Sequence, residues 1–382
     1  MEAISESVFT DTTSSAEIAS DDPSLLTVIL DISPIGWYNI RHLITIQEIT
    51  KSLLVFLNAH LSLNNSNQVA FIASAPSGSR FLYPNPAKNY QEVKNHHKNG
   101  TGTGNDEKLH TYVNKGMYRQ FRIVDNSVLE ELDAFLEEIN NNIDANKSTE
   151  SKLSGALSMA LTYTNRMLKL DQSISTTTAS AISSTTSINT GGSSSTTSGG
   201  GGSSTSGSSA STSITSMKSR ILIVSANDDD DIKYIPIMNS IFAAQKMKLS
   251  IDIAKLGPHN SSFLQQPSDA TNGIYLHIQD PRGIIQILST AYFIEPNLRP
   301  FIILPTNSNV NYRASCFITG KAVDVGYVCS VCLCIMSVLP ESGYCPACNS
   351  EFDKKIIQSL NREPVVLSNK KKRKLDISKN GS

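Results

Sequence analysis

The chain has 382 residues, 39 % of them apolar, with a formal net charge of -1 and a pI of about 6.7. That length suits one large domain plus a small one. So even a charge balance excludes a global basic footprint for nucleic acid and a field that would hold the chain on a membrane.

Residues 1–21 are acidic and rich in Ser and Thr, and read as a disordered N-terminus. They lack the basic and apolar regions of a secretory signal. No apolar run reaches the ~18 residues of a membrane-spanning helix, so the expectation is a soluble, intracellular protein. The first element is a buried-strand pattern at Ser24 to Leu30 (SLLTVIL). Ile46, Ile49, Leu53, Phe56 and Leu57 then fall on one helical face. Val69 to Ala73 predicts a second strand, and Arg80 to Tyr83 a short third. Ser127 with Glu130 has capping-box spacing and predicts a helix start, with Val128, Leu132, Phe135, Leu136 and Ile139 as its stripe. Leu153, Leu157, Ala160, Leu161 and Leu168 predict another helix. Beyond it come a strand at Arg220 to Val224, a helix near Tyr234 to Met247 and an alternating strand at Leu249, Ile251 and Ile253. A strand at Gly273 to Ile278 and a helix at Pro281 to Phe293 complete the series.

Strands alternating with helices predict a doubly wound, mostly parallel α/β sheet over residues 22–301. Two stretches interrupt it. Residues 84–116 are polar, and residues 173–216 are nearly pure Ser, Thr and Gly. Neither holds enough apolar surface to offset its ordering entropy. Both read as loop insertions, the second because the same α/β pattern resumes beyond it. The alternative for the second is a linker between two domains.

In such a sheet a ligand site lies beyond the carboxyl ends of the strands. The first strand runs into Asp31-Ile32-Ser33-Pro34-Ile35. An aspartate followed by hydroxyls two and four residues later is similar to the Mg²⁺ site of von Willebrand A domains, which uses hard oxygen ligands. Here Asp31 and Ser33 fit, Ile35 replaces the second hydroxyl, and Ala226 stands near the expected second carboxylate. Ser151 or Thr149 could supply a hydroxyl ahead of the helix at Leu153. The expectation is a degenerate Mg²⁺ site that holds no ion, with Asp31 and Ser33 tying a loop to backbone. Asp228 to Asp231 read as a solvated acidic loop or a contact for a basic partner.

Five of the six cysteines lie between Cys329 and Cys348. Cys329-x2-Cys332 and Cys345-x2-Cys348 form two knuckles, which together offer the four thiolates of a structural Zn²⁺ site. Residues 312–356 therefore read as a small zinc module with one ion. Four thiolates leave no open position for water, so the ion is structural. Cys334 and Cys316 read as small buried hydrophobes, with zinc ligation by either left open. Phe352 is expected to pack over the site. A RING-type ligase would need eight ligands for two ions, and no histidine follows His277. Residues 357–382 form a basic tail, and Lys370, Lys371, Lys372, Arg373 and Lys374 read as a nuclear import signal.

The layout resembles the subunit 3 family of general transcription factor IIH. The likeness rests on LDISPIGWY at the end of the first strand, IFAAQK (Ile241 to Lys246), NYRASCF (Asn311 to Phe317) and GYVCSVCL (Gly326 to Leu333). It covers Pro23 to about Phe352, without the two insertions. The resemblance implies a non-catalytic core subunit in the nucleus, serving RNA polymerase II promoter opening and nucleotide excision repair. It implies docking to the other core subunit that carries a von Willebrand A-like domain and zinc modules. It also implies that any association with DNA is indirect. Two other classes compete. A zinc-dependent nucleic-acid binder would need basic residues between the knuckles, and residues 333–344 have none. A Mg²⁺-dependent binder of a partner carboxylate would need the site at Asp31 to be complete. An enzyme is not expected, because no acid, base and nucleophile converge.

Overall fold

The computed structural model describes residues 22–85, 118–141, 151–186, 217–229, 232–296, 298–302 and 310–360, with the side chains of 175–186, 300, 354 and 360 left out. The chain divides into two compact units, with the boundary in sequence after Arg313. Among the described residues no helix is long and apolar enough to cross a membrane.

The first unit is built on six strands: β1 (Ser24–Asp31), β2 (Gln68–Ala75), β3 (Gly78–Tyr83), β4 (Lys218–Ser225), β5 (Ser250–Leu256) and β6 (Tyr275–Ile278). Their order is β3-β2-β1-β4-β5-β6. All neighbours are parallel except β3, an antiparallel edge hairpinned onto β2. Every residue of β1 is buried, as expected for a central strand covered on both faces. Its apolar side chains therefore divide between two cores. Leu26, Val28 and Leu30 face one side, with α1 (Pro34–Ile40), α2 (Ile46–Leu63) and α3 (Arg119–Asn141). Ile29 faces the other, with α4 (Leu153–Thr186), α5 (Tyr234–Lys246) and α6 (Ser262–Ala270).

Local chemistry sets several helix ends. Thr45 caps α2: its Oγ1 accepts from Glu48 N at 3.3 Å, and Glu48 Oε2 accepts from Thr45 N at 2.9 Å. The box expected at Ser127 does not open a helix. α3 already runs from Arg119, and Ser127 Oγ donates to Leu82 O at 2.8 Å, which ties α3 to β3. Val124 and Phe121 extend the stripe two turns further back than the spacing predicts. The expected last helix is divided into a 3₁₀ turn (Pro281–Gly283), α7 (Ile284–Ile287) and a π-helical turn (Leu288–Tyr292). Buried Arg220 on β4 takes its final carbonyls, donating to Tyr292 O at 2.9 Å and Ile294 O at 2.8 Å. Further on, Arg299 pairs with Asp252 on β5 through 2.8 and 2.6 Å bonds. That buried fork fastens the chain leaving the sheet domain.

The Ser/Thr-rich stretch also departs from expectation. α4 continues past residue 173 to Thr186, because residues 174–186 hold no Gly or Pro to stop it. Residues 187–216 and 86–117 lie outside the described residues. α4 before the stretch and β4 after it pack in the same core. The ends of the stretch are clasped together, with Met217 N donating to Asp171 Oδ2 at 2.8 Å.

His60 on α2 is fully buried, with Nε2 3.3 Å from both Ser24 O and Ser24 Oγ. Burial, and next the Arg220 charge, hold its imidazole down at about 4, while the Ser24 carbonyl pulls the other way. Above pH ~6.5 the ring is neutral in both folded and unfolded chains. Between there and about pH 4 only the unfolded chain takes the proton, so the sheet domain loses about 1.4 kcal/mol per pH unit on this account. Denaturant unfolding across that range should show a shallower acid limb in His60→Gln. An unchanged limb would sink the assignment.

The second unit holds two short hairpins: β7 (Ala314–Ser315) with β8 (Ala322–Val323), and β9 (Tyr327–Val328) with β10 (Ile335–Met336). α8 (Lys354–Leu360) follows. Asn311, just before this unit, is bonded to Gln265 and Gln266 of α6 and so belongs to the sheet domain.

Candidate metal centre and the buried carboxylate at the switch point

β1 and β4 are neighbours whose connections leave in opposite directions, so the switch point of the sheet lies at their carboxyl ends. Asp31 ends β1 there, with no solvent exposure. Its Oδ1 accepts from Ser33 N at 3.2 Å and Ser33 Oγ at 2.7 Å. Its Oδ2 accepts from Ser151 Oγ at 2.9 Å, Ser225 Oγ at 3.1 Å and Asn227 Nδ2 at 2.6 Å. Burial raises the Asp31 pKa, while the bonds from Ser33, Ser151 and Asn227 oppose that rise.

Asn227 is the piece that sequence reasoning missed. Its amide bridges the site: the nitrogen faces Asp31 and the oxygen accepts from Gly36 N at 3.1 Å. The approach is close enough that a Cβ on Gly36 would stand 2.4 Å from Asn227 Oδ1. The position expected near a second carboxylate is Ala226, which is buried and has no side-chain ligand to offer. Ser33 and Ser151 do reach Asp31, and Thr149 lies outside the described residues. The donor set does not fit a divalent cation. It has one carboxylate, and an N–H donor stands against the oxygen that a cation would take.

Of the aspartates after β4, Asp228 and Asp229 are each held by partners within the domain. Asp228 pairs at 3.0 Å with the buried ammonium of Lys255, which also donates to Ala226 O and Leu256 O. Asp229 accepts from Ser261 Oγ and from the N–H groups of Ser262 and Phe263, at the start of α6. Asp230 and Asp231 lie outside the described residues.

In the second unit, the sulfurs of Cys329, Cys332, Cys345 and Cys348 all lie within 4.8 Å of one another. Four sulfurs at ~2.3 Å from a tetrahedral Zn²⁺ stand about 3.8 Å apart. Cys329 to Cys348 is 3.8 Å and Cys332 to Cys345 is 3.6 Å, so the group fits a metal of that size. The backbone N–H of Cys332, the Ser350 hydroxyl and the N–H of Val331 draw the Cys329 thiol down to about 6. Burial raises the Cys345 thiol, but the N–H groups of Cys348 and Ala347 outweigh it. Thiolates are the metal-binding form. Cys334 Sγ stands 3.3 Å from Cys345 Sγ but outside the group of four. Phe352 packs against the cluster, its N–H donating to Gly343 O at 2.9 Å. Cys316 is buried elsewhere in the unit. Burial pushes its thiol up, and hydrogen bonds from Ser337 and Thr319 bring it down to about 6. Lys370, Lys371, Lys372, Arg373 and Lys374 lie outside the described residues.

Strand order, the antiparallel β3 edge and the Asp31–Ser33 turn put the sheet domain in the von Willebrand A-like class, in a chain that also carries a four-cysteine unit able to hold a metal. The family description "Transcription factor Tfb4" matches residues 23–349, and the chain belongs to that family. A relative from Debaryomyces hansenii, General transcription and DNA repair factor IIH subunit TFB4, is 65 % identical over 100 % of this chain and 98 % of its own length. The protein of the same name from Saccharomyces cerevisiae is 38 % identical over 98 % of this chain and 99 % of its own length. That from Arabidopsis thaliana is 30 % identical over 87 % of this chain and 90 % of its own length. Among solved structures, the TFIIH p34 N-terminal domain is similar at 28 % identity, covering 71 % of this chain and 98 % of that one, with a TM-score of 0.47.

Proposed function

We propose that this chain is a non-catalytic scaffold subunit of the general transcription and DNA repair factor IIH core. It would work in the nucleus, in RNA polymerase II initiation and in nucleotide excision repair. The observation that carries this reading is the 65 % identity, across the whole chain, to the Debaryomyces hansenii subunit of that name. The site chemistry agrees with it. The Asp31 carboxylate is buried and already accepts from five donors, which leaves it no free lone pair and no access for general-base work. We read the Asp31 cluster as a metal-free brace between β1, β4 and the start of α4. We read Cys329, Cys332, Cys345 and Cys348 as ligands of one structural Zn²⁺.

Docking is to other core subunits, chiefly the second subunit with a von Willebrand A-like domain and zinc modules. The surface of the cysteine unit supports protein contact over nucleic acid. Val325, Val331, Leu333 and Val338 are all more than 60 % exposed, and residues 333–344 carry no Lys or Arg. The segment 370–374 is read as the import signal.

Purification of the tagged chain from nuclear extract at moderate salt tests the reading. Helicases and the second von Willebrand A/zinc subunit are expected in stoichiometric amount. A chain that emerges alone, or only from cytoplasm, overturns it.

A further inference from the structure

The cysteine unit repeats one backbone turn three times. At Cys329, the residue's own N–H donates to Cys334 O at 3.0 Å and the N–H of Leu333 returns to Cys329 O at 2.9 Å. At Cys345, the same two bonds run to Ser350 O and from Asn349 N, both at 2.9 Å. At Cys316, they run to Lys321 O at 2.8 Å and from Gly320 N at 2.9 Å. The fifth residue of each turn has positive φ: Leu333 at 59°, Asn349 at 56° and Gly320 at 73°. Leucine in this conformation is unfavourable, so the turn is imposed by what it builds. In two of the turns the fourth residue is the second cysteine of a knuckle. In the Cys316 turn it is Thr319, whose N–H points at Cys316 Sγ from 3.4 Å.

The turns are interleaved. The turn at Cys329 meets the turn at Cys345 through their sulfurs and skips the segment between them. That skipped segment meets the first turn instead. Phe317 N donates to Ile335 O at 2.8 Å, and Ser337 N and Oγ both stand 3.2 Å from Cys316 Sγ. Ser337-x2-Pro340 has the spacing of a knuckle pair, so four such pairs follow one another: 316/319, 329/332, 337/340 and 345/348. The first meets the third and the second meets the fourth. Two interleaved pairs of knuckles are the layout for two tetrahedral ions. Here the first centre keeps one sulfur, with Thr319 and Ser337 bonded to it and Pro340 at the remaining position by spacing alone.

We propose that the unit is a cross-braced two-centre module in which one metal has been replaced by hydrogen bonds. The Cys316 sulfur, with its donors from Ser337 and Thr319, holds the place of the missing ion and closes β7 onto β10 without metal. For the other centre this inference rests on the zinc reading given above.

Native mass spectrometry of the full chain counts the ions. Wild type is expected to carry one zinc, and a Thr319→Cys/Ser337→Cys/Pro340→Cys variant two. Zero zinc in wild type would defeat the reading of the four-cysteine site. Two in wild type, or one in a folded triple variant, would overturn the replaced-centre proposal. Should the triple variant not fold, Cys316→Ala decides. It is expected to keep one zinc and to lose at least tenfold in amide exchange protection at Phe317 and Ser337. Loss of the zinc would make Cys316 a ligand of the single site, and unchanged protection would deny it a bracing role. Either result overturns the proposal.

Discussion

Replacing Cys345 by serine is expected to remove the metal and the fold of the carboxy-terminal unit together, while the sheet domain keeps its own unfolding transition. Among the described residues, the buried cluster at the metal centre of that unit is Cys329, Met336 and Cys345, with Cys334 and Phe352 against it. Two of those three core residues are themselves proposed ligands, so the core and the metal centre are one object. Its hairpins are two residues long on each strand, too short to stand alone in water. A structural zinc contributes about 10–16 kcal/mol in comparable small modules, far more than Met336 and Phe352 can supply. Hydrogen exchange by mass spectrometry reads both halves at once. Protection at 327–336 should collapse in Cys345→Ser and in chelator-treated wild type, with that at 221–224 and 251–256 unchanged. Persistent protection at 327–336 in metal-free protein would show that the unit folds on other contacts.

The second large effect is at Asp31. Asp31→Ala removes the acceptor shared by Ser33, Ser151, Ser225 and Asn227, all of them buried. Each buried donor left without a partner costs about 1–3 kcal/mol. Hydroxyls can rotate towards other acceptors, but the Asn227 amide is fixed by Gly36 and cannot. The expected loss is several kcal/mol for the sheet domain, seen as a large fall in the denaturant midpoint. Added Mg²⁺ should leave the wild-type midpoint where it was, because the Asn227 nitrogen already occupies the approach to Oδ2. A Mg²⁺-dependent rise that disappears in Asp31→Ala would restore the cation site and the partner-carboxylate reading with it.

The central strands were legible because burial on both faces leaves an unbroken apolar run, as in SLLTVIL and RILIV. The four cysteines were legible because knuckle spacing is a local property. What escaped depends on distant parts of the chain meeting. Asp31 and Asn227 are 196 residues apart, and nothing in either neighbourhood announces the other. The available signal was positional. A polar residue two places beyond β4, adjacent to β1, can reach the same point as one at the end of β1. The Ser127–Glu130 pair misled for the opposite reason. A four-residue pattern recurs by chance inside helices, and here the serine served β3 instead. Asp228 and Asp229 looked like one charge run but answer to different partners, Lys255 and the α6 terminus.

The bond from Met217 to Asp171 has a consequence for how this sequence can vary. Once the ends of a loop are fixed beside each other, its closure entropy depends on length only through a logarithm, and doubling it costs about 0.6 kcal/mol. The clasp stands one residue ahead of β4, whose register against β1 runs from Ser24 with Lys218 to Leu30 with Val224. Residues added or removed between Asp171 and Met217 should therefore change the stability of the sheet by well under the cost of one buried hydrogen-bond donor left unpaired.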